Sequence, residues 1–288
     1  MVFIGKIHRG VLAACLAVAA GLLIWGASHT AALAVQAQPV KGVNLPIIMY
    51  HSILPYNTSR SKYIVSPKTL ENDLAYLQQE HFTTVTMQDV IAYVKDGTEL
   101  PSKPILITFD DGYYNNYVYA YPLFKKYNMK MMLSPIVHFS ELFSEKDGGH
   151  ETYSHSTWDQ LSEMQQSGVV EIENHTYNLH SQKGRLGAKK LKTENTQEYQ
   201  VMLRKDLQQA QNLIKEHVGV DMNVFVYPFG AVSPEALPVI RSLGFEATLT
   251  CQAKMNVLTH SENCLIGLGR FLRPPGESSA AYFRRIMK

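Results

Sequence analysis

Residues 104–112 read Pro104-Ile105-Leu106-Ile107-Thr108-Phe109-Asp110-Asp111-Gly112, an almost wholly apolar run closed by two carboxylates and a glycine. Continuous rather than alternating hydrophobicity is the mark of a strand covered on both faces, as in a parallel sheet. Comparable runs recur on either side: Leu45–Tyr50, Met129–Leu133, Gly168–Ile172, Val224–Tyr227, Phe245–Leu249 and Leu265–Phe271. Helical patterns lie between them. Ser66 before Pro67 is a cap with proline at the first helical position, and Leu70, Leu74 and Leu77 then form one apolar stripe. Thr86 with Asp89 has the form of a capping box and Gly97 of a stop; Thr196–His217 is amphipathic through Tyr199, Leu203, Leu207 and Ile214, with Gly219 after it. Ser140–Ser156 and Ser181–Asn195 lack apolar periodicity and are expected to be loops. Strand–helix alternation means βαβ units, and about seven of them fit a (β/α) barrel better than a short open sheet.

The chain has 288 residues, of which 45% are hydrophobic, with 16 Tyr and 11 Phe, so it can bury a sizeable core. A disordered scaffold is excluded on composition. Lys6, His8 and Arg9, an uncharged run from Gly10 to Ala27, and the small residues Ala32, Ala34 and Ala37 describe an export signal or an uncleaved membrane anchor. Residues 1–40 are therefore set apart from one domain over residues 41–288, expected to be exported, secreted or held at the cell surface, and monomeric. A net charge of +2 gives no case for a nucleic-acid partner. Arg270, Arg273, Arg284, Arg285 and Lys288 make the C-terminus locally basic, with a solvated tail as the simplest expectation. Cys251 and Cys264 have no metal-knuckle or redox spacing; a disulfide between them is one option, two free thiols the other.

Barrel enzymes carry reactive groups at the C-terminal ends of strands, so the polar residues closing each run are the informative ones. Tyr50 is followed by His51; Phe109 by Asp110 and Asp111; Val169–Asn174 by His175, with His180 five residues on. One aspartate and two histidines form a borderline-metal site that leaves a position open for water, the requirement for catalytic zinc. Residues five apart converge on neither a helix nor a strand, so His175 and His180 can share an ion only if residues 176–179 form a loop. Adjacent Asp110 and Asp111 diverge inside a strand, but at its end, beside Gly112, they can take two roles. His150 and His155 have the same spacing without an apolar strand ahead of them and are discounted, as are His8, His29, His81, His138, His217 and His260.

Thr108-Phe109-Asp110-Asp111-Gly112 resembles the first motif of the NodB-type polysaccharide deacetylases, carbohydrate esterase family 4, and His175-Thr176-Tyr177-Asn178-Leu179-His180 resembles their second. The likeness covers roughly residues 43–275. It implies a distorted seven-stranded barrel in which Asp110 is the catalytic base and Asp111, His175 and His180 hold a divalent metal, usually zinc. Tyr227-Pro228-Phe229-Gly230 is similar to the third motif, which places the oxyanion-binding backbone amide at Phe229. That motif's arginine falls on Val226, and Arg270 at the end of the last strand is the candidate replacement for orienting Asp110. The family's C-terminal Leu-x-x-His is absent, but Ile48-Met49-Tyr50-His51 is similar to the permuted members, including biofilm poly-N-acetylglucosamine deacetylases, in which the acid histidine comes from the first strand.

The resemblance implies removal of N-acetyl groups from an amino-sugar polymer at the cell surface. Tyr113, Tyr177 and Tyr227 are candidate substrate contacts, and Tyr114, Tyr153 and Trp158 also lie near these loops. Competing expectations are a metal-free glycosidase using Asp110 and Glu173, an O-acetyl esterase on the same fold, and a surface carbohydrate-binding protein that has lost activity.

Overall fold

The computed structural model describes residues 42–56, 60–146 and 149–287. The segment read as a signal or anchor lies outside them, and among the described residues no helix is long and apolar enough to cross a membrane.

The strands that build the barrel are β1 (Ile47–Tyr50), β2 (Pro104–Asp111), β3 (Met131–Pro135), β4 (Val170–Ile172), β5 (Val224–Val226), β6 (Ala247–Leu249) and β7 (Phe271–Leu272). Parallel ladders join β7 to β1, β1 to β2, β2 to β3, β3 to β4, and β6 to β5. Two parallel bridges, Asn174 with Phe225 and Leu249 with Leu268, complete the ring. The result is the expected (β/α) barrel. Side chains alternate across its wall: Ile105, Ile107 and Phe109 join the outer core beneath the helices, whereas Leu106 packs inside with Ile47, Met132, Val224 and Leu249. By the same alternation Thr108 and Asp110 point inward.

The outer layer contains α1 (Pro67–Gln79), α2 (Met87–Asp96), α3 (Tyr121–Tyr127), α4 (Val137–Glu145), α5 (Trp158–Gln166), α6 (Thr196–Val218), α7 (Leu237–Ser242) and α8 (Ser279–Ile286). Ser66 Oγ accepts from Thr69 N–H, Thr86 and Asp89 form a capping box, and Gly97 and Gly219 end their helices at φ 73° and 83°. These are the signals the sequence carries. One expected loop is in part a helix: Ser140–Glu145 belongs to α4, whose Val137 and Ser140 are buried. Polar composition hid it, because tertiary burial outweighs weak periodicity in so short a helix. Residues 181–195 are irregular as expected.

The basic C-terminus is not a solvated tail. Arg270 and Arg273 are both fully buried. Arg273 forks onto Asp73 of α1 at 2.8 and 3.0 Å and also donates to the carbonyls of Pro274 and Glu277. Tyr50 of β1 donates to the same Asp73 at 2.8 Å. Cys251 and Cys264 are free thiols rather than a disulfide.

Two acids lie inside the barrel below the rim. Glu171 accepts from Met87 and Gln88 N–H at the start of α2, and Glu173 from Asn223 and Val224 N–H at the start of β5. Burial drives Glu171 up to about 7, against the pull of those amides.

Two predictions arise here. Asp73→Ala leaves Arg273 buried without a counter-charge and should cost about 3–5 kcal/mol in urea unfolding; a loss below about 1 kcal/mol removes the clamp. Because Glu171 binds its proton more tightly folded than unfolded, its stabilising contribution is complete below an ordinary glutamate pKa of about 4.3 and is lost as pH rises through about 7. Glu171→Gln should flatten that part of the dependence of the melting temperature on pH; an unchanged profile refutes the assignment.

Candidate active site

At the C-terminal rim, Asp111, His175 and His180 offer ligand atoms that all lie within 4.8 Å of one another. Nε2 of His175 is 3.5 Å and Nε2 of His180 is 3.3 Å from Asp111 Oδ1. That buried oxygen has no hydrogen-bond partner. His175 Nδ1 lies 2.8 Å from the Val226 carbonyl, which can only accept, so Nδ1 carries the proton and Nε2 presents its lone pair. An orphaned carboxylate oxygen facing two imidazole nitrogens fits a divalent cation of the zinc type.

Local backbone geometry makes the convergence possible. Asp111 has φ 72° and Gly112 φ 75°, which breaks the strand alternation and lets the Asp111 carboxylate open onto the same cleft as that of Asp110. Gly112 is required on space as well, since a Cβ there would stand 2.7 Å from Pro135 Cβ. Thr176 at φ 77° begins the loop between the histidines, its N–H held by Asn174 Oδ1 at 2.7 Å. Asp206 of α6 then takes the N–H groups of Tyr177 and Asn178, each at 2.9 Å, and curls His180 back to the site.

Asp110 is the partner of Arg270. Nη1 and Nη2 reach its two oxygens at 2.6 and 2.8 Å, while Nε donates to the Thr250 carbonyl at 3.0 Å. Burial raises the Asp110 pKa, but Arg270 and then His175 outweigh it and hold the carboxyl below the ordinary range. Asp110 is therefore ionised at neutral pH. His51 Nε2 stands 3.9 Å from Asp110 Oδ2. Phe229, at φ 58°, places its ring 4.3 Å from that of His180. His51, Asp110, Asp111, His175, His180 and Phe229 open onto one cleft of about 730 Å³.

The polysaccharide deacetylase family model matches residues 97–248, more than half of the chain. The chain belongs to the polysaccharide deacetylase family. YxkH of Bacillus subtilis (strain 168) is 28% identical over 242 residues, covering 84% of this chain and 76% of that protein. The poly-beta-1,6-N-acetyl-D-glucosamine N-deacetylase of Escherichia coli (strain K12) is 23% identical over 262 residues, but this chain spans only 39% of its length. The structure of IcaB from Ammonifex degensii superposes with a TM-score of 0.70 at 27% identity, over 86% of this chain and 99% of that one.

Within this polysaccharide deacetylase, not every residue singled out in the sequence reaches the cleft. Tyr113 lines it. Tyr177 instead donates to Glu141 at 2.7 Å on the outer side, and Tyr227, 3% exposed, packs edge-on against Phe225 in the core. The outward phase of β5 explains Tyr227, since Val226 takes the inward position. Trp158 stacks on His217. His155 is buried between Tyr113 and Phe139, and burial lowers its pKa to about 4. Glu173, tied to the start of β5, is not among the residues lining the cleft, so the Asp110–Glu173 pair expected of a glycosidase is not assembled there. Sequence reasoning missed Asp206, for which the only signal was a carboxylate beside the apolar stripe of a long amphipathic helix.

Because Asp206 orients the loop that carries His180, Asp206→Ala should weaken zinc affinity roughly ten- to a hundred-fold in chelator competition while the protein stays folded. Unaltered zinc affinity removes this role.

Proposed function

We propose that the chain is a metal-dependent hydrolase that removes N-acetyl groups from an N-acetylglucosamine polymer at the cell surface. The observation that carries this reading is the orphaned Asp111 oxygen facing His175 and His180, one residue from a carboxylate held ionised by Arg270. A divalent ion held by Asp111, His175 and His180 would supply Lewis-acid polarisation of the acetyl carbonyl and a lowered pKa for water.

The chain's own groups take the remaining tasks. Asp110 accepts the proton of the attacking water, since each of its oxygens keeps a second lone pair beyond its bond to Arg270. Arg270 fixes the direction of that carboxylate. The backbone N–H of Phe229, in the left-handed residue beside His180, is the donor for the developing oxyanion. His51, whose Nε2 stands 3.9 Å from Asp110 Oδ2, delivers a proton to the departing amine; burial lowers its pKa against the opposing pull of Asp110 and Asp111, which makes the protonated ring a stronger acid.

Val226 in place of the family's arginine makes an inactive carbohydrate-binding protein the competing expectation. The guanidinium of Arg270 on Asp110 supports the active reading instead. The choice of a β-1,6-linked amino-sugar polymer rests on the name of the Escherichia coli relative, and the cell-surface location on the N-terminal signal or anchor pattern.

Acetate release from N-acetylglucosamine oligomers by the purified protein, compared with chitin and peptidoglycan fragments, tests the reading. Asp110→Asn should keep bound zinc and lose on the order of 10²-fold or more in kcat. His175→Ala should lose both zinc and activity. Full zinc occupancy in His175→Ala, or acetate release undiminished in Asp110→Asn, overturns the assignment.

A further inference from the structure

The proposed reaction restricts where its sugar can sit. In an N-acetyl sugar the amide nitrogen joins the acetyl carbon to the pyranose ring. Asp111, His175, His180 and Asp110 surround the place of the carbonyl, and His51 is the group placed to protonate the nitrogen. The pyranose, bonded to that nitrogen, must then extend on the His51 side of the cleft.

The side chain that stands there is Tyr63. Its ring centroid lies 4.8 Å from that of His51 with the planes tilted by 55°. It is 42% exposed and lines the same cleft. Its position is fixed by backbone pairing rather than by packing. The short parallel pair Ser52–Ile53 with Ile64–Val65 follows directly on His51, and Ser52 N–H donates to the Tyr63 carbonyl at 3.1 Å. Tyr63 N–H in turn donates to Ser61 Oγ at 3.1 Å. The strand that carries the acid histidine therefore also carries the backbone that holds this ring. Lys62, which also lines the cleft, places Nζ 5.1 Å from the ring centroid.

Tyr63 does not belong to either apolar core cluster. A half-exposed, preorganised aromatic ring suits the apolar C–H face of a pyranose, while an ammonium beside it can donate to ring hydroxyls. We infer that Tyr63, assisted by Lys62, is the stacking platform for the sugar ring that bears the acetamide, and so determines specificity for an amino-sugar polymer over small acetylated compounds. The inference rests on the deacetylase reading above.

The test separates binding from turnover. In the Asp110→Asn protein, a β-1,6-linked N-acetylglucosamine pentamer is titrated by calorimetry with Tyr63 intact, as Tyr63→Ala and as Tyr63→Phe. Tyr63→Ala should weaken binding roughly five- to ten-fold, and Tyr63→Phe should retain it because the ring face is kept. In the otherwise unaltered protein, Tyr63→Ala should raise KM for the pentamer more than it lowers kcat, and lose less on a sugar-free aryl acetate. A ring that merely props His51 would instead lower kcat and leave pentamer affinity as it was, which overturns the platform while the deacetylase reading stands. If the parent protein neither binds the pentamer nor releases acetate from any N-acetylglucosamine polymer, the deacetylase reading fails and the platform with it.

Discussion

The guanidinium of Arg270 has no exposed surface, and a buried charge is tolerated only when it is paired and its donors are satisfied. Asp110 supplies the counter-charge through two hydrogen bonds, with the Thr250 carbonyl and Thr108 Oγ1 taking further donors. This requirement ties the last strand to the strand that carries the Asp pair, although about 160 residues separate Arg270 from Asp110 in the chain. It can be met only because β7 lies beside β1 and β1 beside β2 in the closed ring. The same pair that locks the barrel keeps the proposed base ionised.

A second constraint is backbone strain placed where direction must change. Asp111, Thr176 and Phe229 all have left-handed backbones, which cost non-glycine residues of order 1–3 kcal/mol each. Their surroundings hold each in place. The Asp111 carbonyl accepts from Ile136 N–H at 3.2 Å, Thr176 N–H is taken by Asn174, and Gly230 N–H closes a turn onto the Tyr227 carbonyl at 2.9 Å. Without the reversal at Asp111, adjacent carboxylates would point to opposite faces of the wall, one of them into the helix layer. Strain at these motifs is thus what brings the two neighbouring carboxylates into one cleft.

Much of this was legible in the chain. The apolar runs mark the strands, although the last one shrinks to Phe271–Leu272, because glycines and a one-turn helix at Glu262–Leu265 occupy its beginning. Helix caps at Ser66, Thr86 and Gly219 are local chemistry and stand where the residues indicate. Polar residues ending β1, β2 and the strand before His175 could be assigned to one rim, since a parallel barrel collects all its C-terminal strand ends there. Less legible were features set by packing, such as the outward phase of Tyr227, the Tyr177–Glu141 bond and the Asp206 cradle. Each depends on which face of an element meets which neighbour, and one sequence carries no record of that.

What the sequence by itself determined is therefore the barrel class and the inventory of reactive groups: His51, Asp110, Asp111, His175 and His180, each at the polar end of an apolar run or just beyond it. Local periodicity and end chemistry suffice for that, because strand identity and rim position are properties of short stretches. Only the tertiary structure decided that Arg270 faces Asp110, that Asp206 turns His180 back toward Asp111, and that Tyr63 stands beside His51. Those are contacts between residues distant in the chain or on different elements. They follow from barrel closure and strand pairing, which exist only once the whole ring has formed.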